Sequence, residues 1–363
     1  MPLFANTKSI LFICPFPEGV AAGQRLKYEQ AFQYFADNNY TIEVSSFMDL
    51  KMWDIVYKDG FLFSKILGTF KGHFRRLFWL TKLRQYDLVY IFMWVTPMGS
   101  SLMESLYLKL SRKTIYDIED NIFLEGSNSI NPLMKFLRGN NKTIFLVKNA
   151  NHIITSSPYL NNYCLDIHKH RKCTFVSSSI ETSRYVKGGA DKAKVTIGWT
   201  GTFSSRRYLD LLRDVLKNVK QKRDFKLIVI GNFDYEFPEM DLEVIQWTKE
   251  NEIKDLQKID IGLYPLVKED WVLGKSGLKA LQYMGMSIPA VATNFGTACD
   301  FIDNGVNGFL VDNDKEWEDC LIKLIDNPCL RKKVGEAARK TVDNKYAVEV
   351  IKEQYLNIIK ETI

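Results

Sequence analysis

The chain has 363 residues, of which 46% are hydrophobic and 25% are charged. This length and composition are typical of a globular protein with two domains of ordinary size. The formal net charge is only +6. No apolar run reaches the roughly 18 to 20 residues that a membrane-spanning helix needs, and the N-terminus lacks the basic and apolar pattern of a cleaved signal peptide. A cytoplasmic protein is therefore expected.

The first half of the chain alternates apolar runs with helical patterns. Strands are predicted over residues 8–15, 41–45, 88–92, 114–116 and 152–155 and around 173–176, with a helix over 26–35. A strand, loop, helix, strand opening is typical of a Rossmann-like domain. The first loop lacks G-x-G-x-x-G, which gives a dinucleotide-dependent oxidoreductase little support. The six cysteines include no close pair of the kind that binds metal and lie mostly in apolar surroundings, so buried, reduced thiols are expected.

A second Rossmann-like half follows a polar segment with a glycine pair, at residues 185–192. Its first strand leads into a glycine loop over 195–203, followed by a helix over 208–219 and a strand over 226–230. Gly198 and Gly201 permit a phosphate to approach the backbone closely. Arg206 or Arg207 can reach that phosphate from the start of the helix, although either could equally be an exposed charge. Thr202 belongs to the same predicted site.

The most informative segment is GKSGLKALQYMGMSIPAVAT, residues 274–293. It predicts a polar loop, a short helix and a buried strand. The helix N-terminus directs its N–H groups at whatever fills the loop, and Lys275 lies beside it, which favours an anion such as a diphosphate. An ordinary strand-helix unit of an α/β protein is the alternative.

With its flanks, 260–284 and 295–311, this segment resembles the C-terminal half of a bacterial retaining glycosyltransferase of family 4, which has the GT-B fold. Many members carry two glutamates separated by seven residues, the first approaching the transferred sugar and the second the nucleotide ribose. The matching positions here are Gly274 and Gln282, and the chain fits a branch that reads G-K-x-G-x-K-x-L-Q-Y-M. Gln282 can still bind a ribose hydroxyl through its amide oxygen. The resemblance implies a donor site that also includes Trp247, Lys275, Ser276, Gly277, Lys279 and Gly296.

The first half of the chain also contains a segment that resembles the same family. Residues 116–123, Tyr-Asp-Ile-Glu-Asp-Asn-Ile-Phe, are similar to a family signature that follows a strand. Carboxylates at the carboxyl end of a strand lie where doubly wound folds bind ligands, so Asp117, Glu119 and Asp120 are candidates for orienting the acceptor hydroxyl, with Asp117 the catalytic candidate beside Lys275. The resemblance also places Gly23 and Arg25 at the acceptor side, with Arg25 contacting a phosphate. A water-exposed arginine is the alternative.

The sequence offers two weak patterns for a metal site. Asp117-Ile-Glu119 and Asp312-Asn-Asp314 resemble a metal-binding D-x-D, but the second is more simply an exposed turn after a strand. His168 and His170 lack a third ligand nearby and are expected to be surface residues. Neither a metal nor a cofactor is therefore expected.

These observations predict a GT-B protein with two Rossmann-like domains facing a central cleft. Residues 1–188 are expected to hold the acceptor and 189–340 the nucleotide diphosphate sugar, while the resemblance implies that the helix at 341–363 returns to the N-terminal domain. The expected activity is sugar transfer to a glycan with retention, by front-face attack and without a metal. A nucleotide-sugar epimerase and a non-catalytic scaffold remain alternatives, and no RNA-binding signature supports a nucleic-acid role.

Residues 64–84 concentrate basic and aromatic side chains without an acidic one. This composition is typical of a helix that lies in a membrane interface, and it predicts docking at the inner face of the cell membrane beside an acceptor carried on a polyprenyl diphosphate. The alternative is that the apolar side chains pack inside the N-terminal domain. The side chains that carry the prediction are Phe70, Phe74, Leu77, Phe78 and Leu80, with Lys71, Arg75, Arg76, Lys82 and Arg84.

Overall fold

The structure is a computed structural model that describes residues 7–98, 100–119, 140–188 and 194–363. Contacts divide the described chain into two compact units. The N-terminal unit holds the residues up to Ser178 together with Leu273–Ser276 and Ile351–Ile363. The C-terminal unit holds Ser179–Val272 and Gly277–Val350.

The N-terminal unit is built on a six-stranded sheet in the order β2-β1-β3-β4-β5-β6, in which every neighbouring pair is parallel. The two central strands are mainly apolar and buried along their whole length, as expected for a parallel sheet covered by helices. The strands are β1 (Lys8–Cys14), β2 (Tyr40–Ser46), β3 (Leu88–Phe92), β4 (Thr114–Ile118), β5 (His152–Thr155) and β6 (Cys173–Phe175).

Seven α-helices of the described chain lie between these strands: α1 (Ala22–Arg25), α2 (Phe32–Asp37), α3 (Leu50–Val56), α4 (Leu62–Leu80), α5 (Leu102–Leu110), α6 (Asn140–Asn149) and α7 (Pro158–Ile167). The helix predicted over 26–35 is interrupted, because the backbone leaves the helical conformation at Lys27 (φ −122°, ψ −114°). Lys27 turns its side chain into the core at this break, where it pairs with a buried carboxylate. The last helix of the chain, α15 (Val348–Thr362), places Ile351, Tyr355 and Ile359 in the same core as β1.

The C-terminal unit has a second six-stranded parallel sheet, in the order β12-β11-β10-β7-β8-β9. Its strands are β7 (Thr196–Thr200), β8 (Lys226–Gly231), β9 (Leu242–Gln246), β10 (Ile261–Tyr264), β11 (Ala290–Thr293) and β12 (Phe309–Val311). Its helices are α8 (Arg206–Asp210), α9 (Arg213–Lys222), α10 (Glu252–Leu256), α11 (Leu278–Gly285), α12 (Ala298–Phe301), α13 (Asp314–Asp326) and α14 (Pro328–Lys345). The helix predicted over 208–219 is therefore two helices, α8 and α9.

Two parallel-sheet α/β units of Rossmann type are present, as the sequence predicts. The six cysteines are free thiols, of which Cys299 and Cys329 are exposed. None of the helices in the described ranges has the length and apolar character needed to cross a membrane.

Candidate functional site

The loop after β7 is shaped by its own hydrogen bonds. The Gly201 N–H donates to the carbonyl of Ile230 at 2.9 Å, which ties the loop to the end of β8. The Thr202 N–H donates to the hydroxyl of Ser205 at 2.9 Å. Thr202 and its neighbour Phe203 are exposed. The loop thus presents hydroxyl and backbone groups to solvent at the carboxyl end of the sheet, where α/β folds bind ligands.

Packing alone requires glycine at both positions of this loop, and the approach of a phosphate to their backbone stays a prediction. A Cβ atom on Gly198 would lie 2.3 Å from Ile259, and one on Gly201 would lie 2.1 Å from the ring of Trp199. The protein's own side chains therefore fill the space that the missing Cβ atoms leave.

Lys279, on helix α11, lies beside the loop after β7. Gly277 precedes the helix in the left-handed conformation (φ 72°), which glycine adopts without strain, and has no side chain to cap the first turn. Lys279 donates from Nζ to the hydroxyl of Ser205 at 3.0 Å and lies 4.9 Å from the centre of the Trp199 ring. The N-terminus of α11, Lys279 and the loop after β7 therefore form one positively polarised surface, which is suited to an anion.

Arg206 and Arg207 begin α8 and have different surroundings. Arg206 lies 3.8 Å from a carboxylate oxygen of Asp210 and stacks on Phe203. Arg207 lies over the rings of Tyr208 and Trp271, at 5.3 and 4.9 Å from their centres. Each guanidinium is held beside the loop, and the choice between them for a diphosphate stays a prediction.

Gln282, on the second turn of α11, belongs to a buried polar group that we call the Glu252 cluster: Tyr185, Trp247, Glu252 and Gln282. Its amide nitrogen donates to the Tyr185 hydroxyl at 3.0 Å and to Oε1 of Glu252 at 3.4 Å. The indole N–H of Trp247 donates to the same Oε1 at 3.3 Å, and the Tyr185 hydroxyl donates to Oε2 at 3.4 Å. The structure thus brings two predicted donor-site residues, Trp247 and Gln282, onto one carboxylate. Glu252 and Tyr185 were missed because charged or aromatic residues without a motif give no sequence signal.

The residues just before α11, Leu273–Ser276, belong to the N-terminal unit. The Gly274 carbonyl accepts a hydrogen bond from the Ser156 hydroxyl at 3.0 Å. Ser276 is buried and Lys275 is half-buried. After β11, Gly296 adopts a left-handed conformation (φ 72°), so glycine is required at that turn by its backbone.

Asp117, at the end of β4, lies in the core of the N-terminal unit. One carboxylate oxygen pairs with the buried ammonium of Lys27 and the other accepts a hydrogen bond from Tyr90. Burial raises the pKa of this carboxyl, and the Lys27 ammonium opposes that shift. Asp117 is fully buried and neither oxygen faces solvent, and its predicted contact with an acceptor hydroxyl stays a prediction. Lys27 follows an ordinary helical pattern in sequence and gave no sign of this pairing.

The other acceptor-side residues lie near the start of the chain's first helix. Arg25 is buried, so the alternative of a water-exposed arginine is wrong. A Cβ atom on Gly23 would lie 2.4 Å from a carboxylate oxygen of Glu119, which places that carboxylate directly against α1. Asp120 lies outside the described residues.

The metal alternatives can be compared with the structure. Within the described ranges, no three His, Cys, Asp or Glu side chains are grouped so that they could hold a metal ion. His168 is buried, not a surface residue as predicted: its Nδ1 accepts from the Lys172 N–H at 2.9 Å, and its Nε2 lies 3.0 Å from the Ala150 carbonyl. Asp312 accepts hydrogen bonds from Lys268 and Asn294 in an exposed turn.

Residues 64–84 form most of α4 and the turn after it. The alternative that their apolar side chains pack inside the domain is wrong for most of them, since Phe70, Phe74 and Phe78 are 60, 70 and 54% exposed. Leu77 is exposed as well, whereas Leu80 is half-buried. The prediction that Arg76 faces lipid is also wrong. Arg76 is fully buried and donates to the carbonyls of Val95, Ser45 and Cys14 at 2.7 to 2.9 Å, so it joins the carboxyl ends of the strands.

Comparison with known proteins finds a family similar to part of the C-terminal unit. Residues 194–327 match the family described as "Glycosyl transferases group 1". Over this stretch the chain is similar to that family. The matched residues include the loop after β7, Trp247 and Glu252, and the whole of α11, so they contain most of the predicted donor site.

A curated relative and two solved structures extend the comparison. The capsular polysaccharide biosynthesis glycosyltransferase CapM of Staphylococcus aureus is 25% identical over 183 residues, 46% of this chain and 47% of that protein, so the chain spans about half the length of this relative. Sucrose-phosphate synthase from Thermosynechococcus elongatus matches with a TM-score of 0.73 at 13% identity, covering 98% of both chains. Anabaena HepE, crystallised with UDP and glucose, matches with a TM-score of 0.69 at 14% identity, covering 98% of this chain and 100% of that one. At these identities the likeness establishes the fold, and the predicted GT-B class is confirmed.

Proposed function

We propose that the protein is a retaining glycosyltransferase that moves a sugar from a nucleotide diphosphate sugar to a hydroxyl of a glycan. The observation that carries this proposal is the positively polarised surface formed by the N-terminus of α11, Lys279 and the loop after β7, within the stretch that is similar to the group 1 family. The similarity to CapM, a capsular polysaccharide biosynthesis glycosyltransferase, and to HepE, crystallised with UDP and glucose, supports the same substrate class. The C-terminal unit would hold the donor and the N-terminal unit the acceptor.

The chemistry follows from the charge that must be stabilised. As the bond between the anomeric carbon and the diphosphate oxygen breaks, negative charge grows on the departing diphosphate. The N–H groups of α11, Lys275 and an arginine at 206 or 207 would stabilise that charge. Gly274 stands where many relatives of this type carry a glutamate, so the chain offers no carboxylate nucleophile there. We therefore propose front-face attack, in which the acceptor oxygen bonds to the anomeric carbon while a departing phosphate oxygen takes the acceptor proton.

The stereochemistry and metal dependence of transfer test this proposal together. We expect NMR of the product to show the anomeric configuration of the donor retained, and activity to persist after a chelator, because fixed cationic and backbone groups stabilise the leaving charge. An inverted product would contradict the retaining mechanism, and complete loss of activity with chelator would contradict transfer without a metal. Donor incubated alone separates the alternatives: an epimerised nucleotide sugar indicates an epimerase, and neither hydrolysis nor transfer with any donor indicates a scaffold.

We further propose a lipid-linked acceptor, reached at the inner membrane surface. The outward face of α4 carries a run of exposed apolar side chains that we call the α4 apolar face: Phe63, Ile66, Leu67, Phe70, Phe74, Leu77 and Phe78. Basic residues stand along the same helix, and the segment contains no acidic residue. An apolar face of this size with cationic flanks suits the interface of an anionic bilayer.

Replacing Lys71, Lys82 and Arg84 with glutamate is expected to lower affinity for anionic vesicles by on the order of 100-fold, since each base near such a surface contributes roughly 1 kcal/mol. Vesicle flotation at low salt measures this. Arg75 and Arg76 are left unchanged because both donate to backbone carbonyls of the core, Arg75 to Ser46.

The matched control for that charge reversal replaces Lys332, Lys333 and Lys340, which are exposed on α14, with glutamate. It changes net charge equally and is expected to leave vesicle binding near the wild-type value. Wild-type protein that stays unbound on anionic vesicles at low salt, or equal losses in both variants, would contradict a membrane surface at α4.

A further inference from the structure

We propose that Trp94 and His73 form a saccharide-binding subsite of the N-terminal unit, in which the indole ring stacks on the C–H face of an acceptor sugar and the imidazole hydrogen-bonds one of its hydroxyls. Trp94 follows β3, and His73 lies on α4. This inference rests on the proposed function and deepens it, because it gives the glycan acceptor a recognition surface. Neither residue belongs to the acceptor side that the sequence predicted.

The two side chains pack against the same aromatic ring. Phe47, directly after β2, is buried, and its ring meets the rings of His73 and Trp94 edge to face, with centres 5.3 and 5.4 Å away. Gly72 makes room for this packing, since a Cβ atom there would lie 2.5 Å from the Phe47 ring. Trp94 and His73 are both half-buried. They therefore lie near the carboxyl ends of β2 and β3, the edge at which α/β sheets bind ligands.

The backbone that carries Trp94 is strained. Met93 has a φ of 60°, a left-handed conformation that costs free energy in a residue with a side chain. The Met93 N–H donates to the Asp117 carbonyl at 2.9 Å, and the Met93 carbonyl accepts from the Tyr116 hydroxyl at 2.8 Å. The Trp94 N–H donates to the Phe92 carbonyl at 2.7 Å. Strain that surrounding contacts hold in place is typical of ligand-binding segments, and here it fixes where the Trp94 ring is presented.

The segment after Trp94 is fixed as well. Oε1 of the buried Glu104 accepts from both the N–H and the hydroxyl of Thr96, at 3.2 Å each. The buried ammonium of Lys142 donates to the carbonyls of Thr96 and Met98 at 2.9 and 2.6 Å. Trp94 is thus held from both directions along the chain, so little conformational freedom is lost there when a ligand binds.

The ring nitrogens of both side chains are available to a ligand. Within the described residues, no hydrogen bond joins the Trp94 indole N–H or either nitrogen of His73 to a protein group. Burial lowers the pKa of His73, and the cations Lys142 and Arg76 lower it further while Glu104 opposes them. The imidazole is therefore neutral at neutral pH, with one nitrogen that donates a hydrogen bond and one that accepts.

These features suit a sugar. The C–H groups on one face of a pyranose are attracted to the negative face of an aromatic ring, and its hydroxyls pair with a group that both donates and accepts. An anionic ligand is less favoured, because the nearest cations, Arg76 and Lys142, already donate to backbone carbonyls. His73 shares α4 with the α4 apolar face, so a sugar bound here lies beside the surface proposed to meet the membrane.

Fluorine NMR of protein labelled with 5-fluorotryptophan measures saccharide binding at Trp94. The chain has seven tryptophans, and the resonance that is lost in Trp94→Phe identifies Trp94. The probes are methyl glycosides of hexoses, 6-deoxyhexoses, N-acetylhexosamines and hexuronic acids, each titrated to high concentration. We expect at least one glycoside to shift the Trp94 resonance along a saturating curve. Trp94→Ala should weaken binding of that glycoside by about 3- to 10-fold, the range of one aromatic contact, as measured by saturation-transfer NMR.

The second half of the subsite is tested through His73. His73→Ala is expected to weaken binding of the same glycoside by about 3- to 10-fold, the range of one hydrogen bond. His73→Gln keeps a donor and an acceptor and should recover much of that loss, which a merely structural role would not predict. The wild-type resonance and the His73 variants keep the test decisive even if Trp94→Ala unfolds.

The matched control is Trp53→Ala. Trp53 is also half-buried in the N-terminal unit, and its ring meets that of Phe16 edge to face with centres 5.2 Å apart. This variant removes an indole from a similar setting on α3 and is expected to keep the wild-type glycoside affinity. An equal loss in Trp53→Ala and Trp94→Ala would contradict a specific role for Trp94.

Binding and transfer fail in distinguishable ways. If donor hydrolysis or transfer is detected but no glycoside shifts the Trp94 resonance, the inference alone is overturned. It is also overturned if Trp94→Ala and His73→Ala bind the glycoside as tightly as the wild type. If a glycoside shifts Trp94 but no nucleotide sugar is hydrolysed or transferred, the proposed function fails, and the acceptor role of the subsite fails with it.

Discussion

Replacing Lys275 with alanine is expected to lower kcat by on the order of 100-fold, the scale at which loss of one preorganised charge-stabilising group acts. The lysine comes two residues before Gly277, the residue that precedes α11, and its side chain is half-buried. In the proposed reaction its charge acts on the departing diphosphate, which becomes more negative in the transition state than in the bound donor. The loss should therefore appear in kcat more than in donor affinity.

The measurement is single-turnover transfer at saturating donor, with thermal unfolding to establish that the variant is folded. Lys332→Ala removes a strongly exposed lysine from α14 and serves as the matched control, for which we expect unchanged turnover. If Lys275→Ala turns over at close to the wild-type rate, Lys275 does not stabilise the departing diphosphate. The N-terminus of α11 and the arginines of α8 would then be the groups that do.

The architecture was predictable because strands and helices of this fold are local patterns. β3 (Leu88–Phe92) is a continuous apolar run and β8 (Lys226–Gly231) contains one over residues 227–230, and each strand was located within a residue of its observed bounds. Helix continuity was harder to predict. The sequence around Lys27 has a helical period, yet the chain bends there because a contact far along the sequence takes its side chain into the core.

The details of the site depended on such distant contacts, which is why they escaped prediction. Lys27 and Asp117 are 90 positions apart, and Gln282 and Glu252 are 30 apart. Asp117 was correctly placed at a strand's carboxyl end, but only the fold shows that both its oxygens are used internally. Composition likewise predicted a basic, aromatic segment at α4. It did not distinguish Arg76, which is buried in the core, from Lys71, which is exposed.

Neutralising Asp117 alone, by Asp117→Asn, is expected to destabilise the N-terminal unit by about 3 to 5 kcal/mol, the cost of leaving one charge of a buried pair uncompensated. Lys27 and Asp117 are both fully buried in their ion pair. Lys27→Met, which leaves the carboxylate without its cation, should have a cost of the same order. The double variant, Lys27→Met with Asp117→Asn, removes both charges while the amide oxygen of the introduced asparagine can still accept from Tyr90, so it should recover much of the loss.

Hydrogen exchange of the amides of β4 (Thr114–Ile118) measures these costs within one unit, without requiring the two units to unfold together. The single variants should lose roughly 100- to 5000-fold in protection, since each 1.36 kcal/mol is a factor of ten, and the double variant should lose clearly less free energy than the two single variants together. Additive losses would show that the pair is not coupled. The folded double variant then tests the role that the sequence predicted for Asp117: turnover near the wild-type rate would make the pair structural, whereas loss of kcat in a stable protein would return Asp117 to the acceptor site.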